Sequence, residues 1–260
     1  MGIIIAVANQ KGGVGKTTTA VNLAASLSVA EKTCLLVDCD PQGNATTGLG
    51  VDKSRLAGGL YGLMMGLDSP EQAVIKTKVP GLSLVGSNSD LIGAEVELAS
   101  KDGREFRLRR GLLPLRADYD YIFMDCPPSL GLLTVNALAA ADSVLVPLQC
   151  EYYALEGLTQ LLETLRAVRN GLNPGLALEG ILLTMYDTRN NLSIQVEEEV
   201  RNHFKERVFK TVIPRNVRLS EAPSHGEPIL FYDIKSKGAQ SYLSLARELI
   251  RRGSRSYEQT

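Results

Sequence analysis

The sequence predicts an α/β protein built on a mostly parallel, twisted sheet with helices on both faces. Three observations predict it. Short apolar runs of strand length alternate with longer runs of helix length, the pattern of a doubly wound sheet. The first strand-like run leads directly into the glycine-rich stretch Lys11-Gly12-Gly13-Val14-Gly15-Lys16-Thr17-Thr18, and a helix-forming run follows. Two later strand-like runs end in aspartate, at Asp38 and Asp125. In an open parallel sheet the carboxyl ends of strands form the ligand-binding edge.

The run Ile3 to Ala8 reads as the first strand, and Thr19 to Val29 lies in the first helix. Between them is a phosphate cradle. A glycine-rich turn exposes successive backbone N–H groups, and the helix behind it aims the positive end of its dipole at the turn. Lys16 supplies an ammonium for β- and γ-phosphate oxygens, and the Thr17 hydroxyl is placed to ligate Mg²⁺. Gly12, Gly13, Val14, Gly15 and Thr18 complete the candidate nucleotide-binding stretch and point to a P-loop NTPase fold. The usual pattern G-x-x-x-x-G-K-[ST] needs a glycine where Gln10 stands. What heads the loop is a second lysine, Lys11, giving the deviant form K-G-G-x-G-K-T. The plainer alternative for such glycines is a simple tight turn.

Cys34 to Asp38 is the second strand, opening into the loop Cys39-Asp40-Pro41-Gln42-Gly43-Asn44. Pro41 stops the strand and Gly43 permits a turn, which holds Asp40 toward the nucleotide. Asp40 is the candidate for positioning the attacking water, and Asp38 for supporting Mg²⁺ or the loop. Either could instead be an ordinary cap or turn aspartate. Residues 50 to 80 read as short helices, Leu82 to Gly86 as a strand, and Leu91 to Leu115 as a helical stretch whose Arg107 to Arg110 cluster is a solvated face.

Tyr119 to Asp125 is a strand with the form of a Walker B element, in which Asp125 holds Mg²⁺ through a water while Thr17 binds it directly. Pro127 and Pro128 then turn the chain into a helix from Leu132 to Ala141. Ser143 to Leu148 is a strand, Ala154 to Val168 a helix, Leu178 to Met185 a strand, and Leu192 to Glu206 a helix. Val212 to Pro214 reads as a last short strand. A long polar loop runs on to Asp233, and Gly238 to Arg252 reads as an amphipathic helix. Residues 1–252 are expected to form one domain, with 253–260 a flexible polar tail.

Composition narrows the possibilities. A chain of 260 residues, 44% hydrophobic and 22% charged, suits one large domain with a sizeable core. The formal net charge is −1, yet residues 201–260 alone carry +6, which permits a polyanion-binding face at that end. Four cysteines without C-x-x-C spacing fit reduced core thiols better than a metal site. The start lacks the features of a cleaved leader, and no apolar run is long enough to cross a bilayer, so a cytoplasmic address is expected.

With the deviant cradle, the Asp38 to Asn44 loop and Asp125-Cys126-Pro127-Pro128 in that order, the sequence resembles the ParA/Soj chromosome- and plasmid-partitioning ATPases. The likeness continues through Gln149-Cys150-Glu151-Tyr152-Tyr153-Ala154-Leu155-Glu156-Gly157 and through Ile213 to Ser224. It implies a Mg²⁺-dependent ATPase that forms a homodimer around two ATP molecules. Lys11 would reach across to the other copy's phosphates, and Gly12 would be small because the two cradles approach closely. Pro214 and Asn216 would line the adenine. The resemblance further implies non-specific binding of the dimer to double-stranded DNA through positions including Arg189 and Arg218, and a nucleoid-associated location. It also implies a ParB-like centromere-binding partner that stimulates hydrolysis.

Two rivals share the cradle. A MinD-like membrane-associated division-site ATPase would need bulky apolar residues facing cations at the C-terminus. The stretch from Arg251 to Thr260 has one aromatic and no aliphatic stripe, so no stable membrane association is expected. A metabolic enzyme, such as an amide-forming synthetase or a nitrogenase-type iron protein, is the other. Its iron–sulfur version lacks an earlier cysteine around residues 80 to 100 to pair with Cys126 or Cys150.

Overall fold

The computed structural model describes residues 2–56, 58–151 and 154–257. Tyr152 and Tyr153 of the block at 149–157 lie outside the described residues, as do 258–260 of the expected tail.

The chain opens with β1 (Ile3–Val7), followed by α1 (Lys16–Val29), β2 (Cys34–Asp38), α2 (Asn44–Gly48), α3 (Gly59–Met65) and α4 (Pro70–Ala73). Next come β3 (Val74–Lys76), β4 (Leu82–Val85), α5 (Leu91–Leu98), α6 (Arg107–Leu112), β5 (Tyr121–Asp125), α7 (Leu132–Ala140) and β6 (Ser143–Gln149). The remainder is α8 (Ala154–Gly171), β7 (Ala177–Thr184), α9 (Asn191–Phe204), α10 (Val217–Glu221), α11 (Ile229–Tyr232) and α12 (Lys237–Tyr257). The strands form a seven-stranded sheet in the order β3-β4-β2-β5-β1-β6-β7. All neighbours are parallel except β3, which runs antiparallel to β4 at one edge.

Period-two alternation in the strands feeds two cores. In β1, Ile4 and Ala6 face one layer while Ile5 and Val7 face the other. The first layer covers the sheet with α3, α5, α6, α7, α8 and α9, and the second with α1, α2, α10, α11 and α12. Both faces of the inner strands are buried, so β2 and β5 are buried at every residue. Helix α12 lies along α1, where Tyr242 is almost fully buried and its hydroxyl meets Thr19 Oγ1 at 3.2 Å. All four cysteines are buried and free. No helix among the described residues is long and apolar enough to cross a membrane.

Several expectations are corrected. The stretch from Leu91 to Leu115 is two helices rather than one, because Gly103 takes a left-handed φ of 64° between them and Pro114 follows the second. Val212 to Pro214 is not a strand; it makes a single parallel bridge, Tyr186 to Pro214. The expected long loop from there to Asp233 holds α10 and α11, and the edge strand β3 was not foreseen. Helix α12 continues to Tyr257, so the segment from residue 253 is helical that far.

Candidate functional site

The site grows from the turn between β1 and α1. Gly13 and Gly15 adopt φ of 73° and 85°, the left-handed region that L side chains resist. Thr184 Oγ1, at the end of β7, donates to the Val14 carbonyl at 2.8 Å and fixes the loop from one side. Asn9 fixes it from below: its Nδ2 donates to Pro147 O at 2.7 Å, and its Oδ1 accepts from Lys11 N at 3.0 Å. Helix α1 then begins at Lys16 with no side-chain cap, so its first amides are left to the mouth of the loop. At Gly12, as at Gly13, a Cβ would meet no heavy atom within 4 Å, but Gly12 lacks the left-handed φ of Gly13 and Gly15. Among the described residues nothing crowds that position.

Lys16 is 7% exposed, and its Nζ donates to the Lys11 carbonyl at 3.0 Å. Burial pushes its pKa down, opposed chiefly by the Asp125 carboxylate. Asp125 ends β5 in register with Val7 of β1 and Asp38 of β2. It is fully buried, and neither carboxylate oxygen has a hydrogen-bond partner of good geometry among the described residues. Burial pushes its pKa well above the carboxylate range; the Asp38 charge adds to this, and the neighbouring Thr17 hydroxyl and Lys16 ammonium oppose it.

Asp38 is equally buried but well partnered. Its Oδ2 accepts from Thr46 N at 2.8 Å and Thr46 Oγ1 at 2.7 Å, and its Oδ1 accepts from Asp40 N at 3.2 Å. Burial raises its pKa to about 6 against those bonds. Of the two roles expected for Asp38, this geometry favours the loop: it ties α2 and the Asp40 turn to the strand end. Asp40 accepts from Gln42 N at 2.9 Å and lines a cavity of about 600 Å³ together with Gly12, Gly13, Gly15, Lys16, Thr17 and Thr18. The cradle, Asp40 and Asp125 are thus brought together as the sequence implied.

Other expected residues fall elsewhere. Pro214 lines not this cavity but a second groove of about 1050 Å³, shared with Arg189, Arg215, Lys235 and Lys237. The Asn216 side chain accepts from Arg218 N at 2.9 Å and caps α10. Arg189 is 87% exposed and forms a two-bond pair with Asp187, while Arg218 pairs with Glu221 at 2.8 Å. The Lys11 ammonium turns back onto Glu151 of its own chain.

Met185 was missed. It lines the phosphate cavity with a left-handed φ of 49°. The next residue explains the bend, since Tyr186 N donates to Ile213 O at 3.0 Å and Tyr186 O accepts from Arg215 N at 3.1 Å. No property of a methionine at a strand end signals that conformation. Ile92 of α5 and the Pro127 to Ser129 turn also line the cavity; proline's power to redirect the chain was visible, its nearness to the cradle was not.

Comparison with known proteins agrees with this geometry. A family model described as an AAA domain matches residues 2–178. The chromosome partitioning protein ParA of Myxococcus xanthus is 62% identical over 253 residues, covering 97% of this chain and 89% of that protein. The sporulation initiation inhibitor protein Soj of Bacillus subtilis is 57% identical over 254 residues, 97% of this chain and 100% of that one. Among solved structures, a cobyrinic acid a,c-diamide synthase from Mycobacterium smegmatis with bound ADP and magnesium superposes with a TM-score of 0.86 at 40% identity, covering 98% of this chain and 96% of that one.

Proposed function

Because the chain belongs to the ParA/Soj family of chromosome-partitioning ATPases, we propose that it works as an ATP-sandwich dimer on DNA. It hydrolyses ATP with Mg²⁺. The observation that carries this reading is Asp125, a buried carboxylate with no hydrogen bond of good geometry among the described residues, beside Thr17 and Lys16 of the glycine loop. A buried charge is costly unless paired or bound to a metal, and oxygen donors of this kind suit Mg²⁺. Thr17 and Asp125 are the residues that would hold it. When bound, the ion neutralises charge on the β- and γ-phosphate oxygens.

The chain's own groups do the rest. The Gly12 to Thr18 amides bind phosphate oxygens, and Lys16 exchanges its bond to the Lys11 carbonyl for them. Asp40 accepts a hydrogen bond from the water that attacks the γ-phosphorus. As the new P–O bond forms, the bond to the β-bridging oxygen breaks, giving ADP and phosphate. Lys11 from a second copy would add positive charge to the transferring group. The open space at Gly12 leaves room for the close approach of that copy.

In the dimer, the cationic groove holding Arg189, Arg215, Lys235 and Lys237 would meet DNA phosphates. Arg218, 54% exposed, lies on α10 close by. The pairs these two arginines make are exposed and weakened by solvent, so phosphate can compete for both side chains. A ParB-like centromere-binding protein would stimulate hydrolysis and release the dimer, giving a nucleoid-associated protein in the cytoplasm. Residues 1–252 would act as one ATPase domain.

Size measurement by light scattering with ATP, ADP and no nucleotide tests the switch. Lys16→Ala is expected to weaken ATP binding about 10- to 100-fold, the scale of charge-assisted hydrogen bonds, and to remain monomeric with ATP. Normal ATP-dependent pairing in that variant would remove Lys16 from the mechanism. Arg189→Ala and Arg218→Ala are expected to weaken DNA binding alike on unrelated sequences and to lower its salt slope by about 1 each, with turnover little changed. Unchanged DNA affinity in both would move the surface elsewhere.

A further inference from the structure

We propose that Glu151 is a positioning residue that holds Lys11 on its own subunit, and so sets how readily two ATP-loaded copies join. The inference rests on the ATP-sandwich reading above. Lys11 is the residue that reading sends across to the other copy, yet here its Nζ is ion-paired to Glu151 Oε2. The two side chains are 38% and 46% exposed, so the pair is neither buried nor fully solvated. Glu151 stands at the corner between β6 and α8, held by Glu151 N to Gln149 O and Ala154 N to Glu151 O, each 2.9 Å. Nothing local in sequence brings the two together, because 140 positions separate them.

The backbone of Lys11 is restrained as well. Its N–H donates to Asn9 Oδ1 at 3.0 Å, and its carbonyl accepts from Lys16 Nζ at 3.0 Å. Phosphate drawn into the cradle competes for the Lys16 ammonium and so loosens one of these restraints. It does not act on Glu151. The side-chain pair is then what keeps Lys11 from extending outward, and it must break once in each copy before the cation can be shared. ATP binding and pairing are thereby separated into two events with their own thresholds.

A half-exposed pair of this kind contributes up to about fivefold to an equilibrium. Two pairs break in a symmetric dimer, so Glu151→Gln is expected to strengthen ATP-dependent dimerisation by about 2- to 25-fold. The readouts are sedimentation equilibrium with a slowly hydrolysed ATP analogue and, on dilute monomer, the affinity for a fluorescent ATP analogue, which should not change. Glu151→Asp keeps the charge and should lie near wild type. Raising the salt should narrow the gap between wild type and Glu151→Gln, because screening weakens the pair in wild type alone. Unchanged or weaker dimerisation in Glu151→Gln, with wild type pairing normally, would overturn the proposal. If that variant does not fold, Glu151→Ala carries the same expectation. Failure of wild type itself to pair with ATP would instead remove the sandwich reading, and this proposal with it.

Discussion

An Asp40→Ala protein is expected to bind ATP, pair, and then fail to separate. Asp40 is 9% exposed and lines the cavity in front of the cradle, two residues beyond the strand that pairs with the one ending in Asp125. It makes no bond to Lys16 or Thr17, so its loss leaves the phosphate contacts intact. What is lost is the acceptor for the attacking water, and removing a positioned base commonly costs about 10²- to 10⁴-fold in rate. Phosphate release should fall by at least about 10²-fold, while ATP affinity stays within a few-fold and the DNA-bound dimer persists. Asp40→Asn separates chemistry from architecture, because an amide oxygen can still accept from Gln42 N. Turnover near wild type in either variant would assign the water to another group.

Asp125→Asn should act in two opposite directions at once. With no ligand, the variant is expected to melt several degrees above wild type. A buried carboxylate without a hydrogen-bond partner costs about 1–3 kcal/mol of desolvation, and neutralising it returns part of that. The sign follows from the raised pKa. A carboxyl whose folded pKa exceeds its unfolded value weakens the fold above the unfolded pKa, and the loss is relieved as acid protonates it. Wild type without nucleotide should therefore gain stability from this group on mild acidification, and Asp125→Asn should lack that gain. Added Mg²⁺ and ATP should reverse the order, stabilising wild type more than the variant, and turnover should fall sharply. A lower melting temperature without ligand would mean that Asp125 is satisfied in the fold and is not held in reserve for a cation.

The central elements were legible because their signals are local and mutually reinforcing. Strands β1, β2, β5 and β6 are short, apolar and bounded by glycine, proline or aspartate, and the cradle follows β1 without an intervening segment. Parallel strands buried on both faces produce that pattern whatever their partners. Elements that depend on distant contacts were not legible. Strand β3 has only three residues, none of them buried, and exists because β4 offers an edge. Helices α10 and α11 are short, and their apolar residues Leu219, Ile229 and Leu230 are too sparse to show a period before α1 and α12 are in place. The resemblance implies Asn216 as an adenine contact, and its capping bond to Arg218 N was not legible in the sequence. The same holds for Asp38, whose neighbour Thr46 carries no chemical signature until the loop closes.

The contact between α1 and α12 bears on how the protein is made. The helix that opens at the cradle buries Leu23, Ala24 and Leu27 in the same core that takes Tyr242, Leu245 and Leu249 from the last helix. A growing chain delivers the first of these long before the second, since Thr19 and Tyr242 stand 223 positions apart. Until then α1 has an uncovered side, and β1, between β5 and β6 in the finished sheet, must wait for strands made much later. A half-made chain thus carries the cradle's residues without its geometry. The helix behind the cradle is covered on that side only once α12 has been made and packs against it.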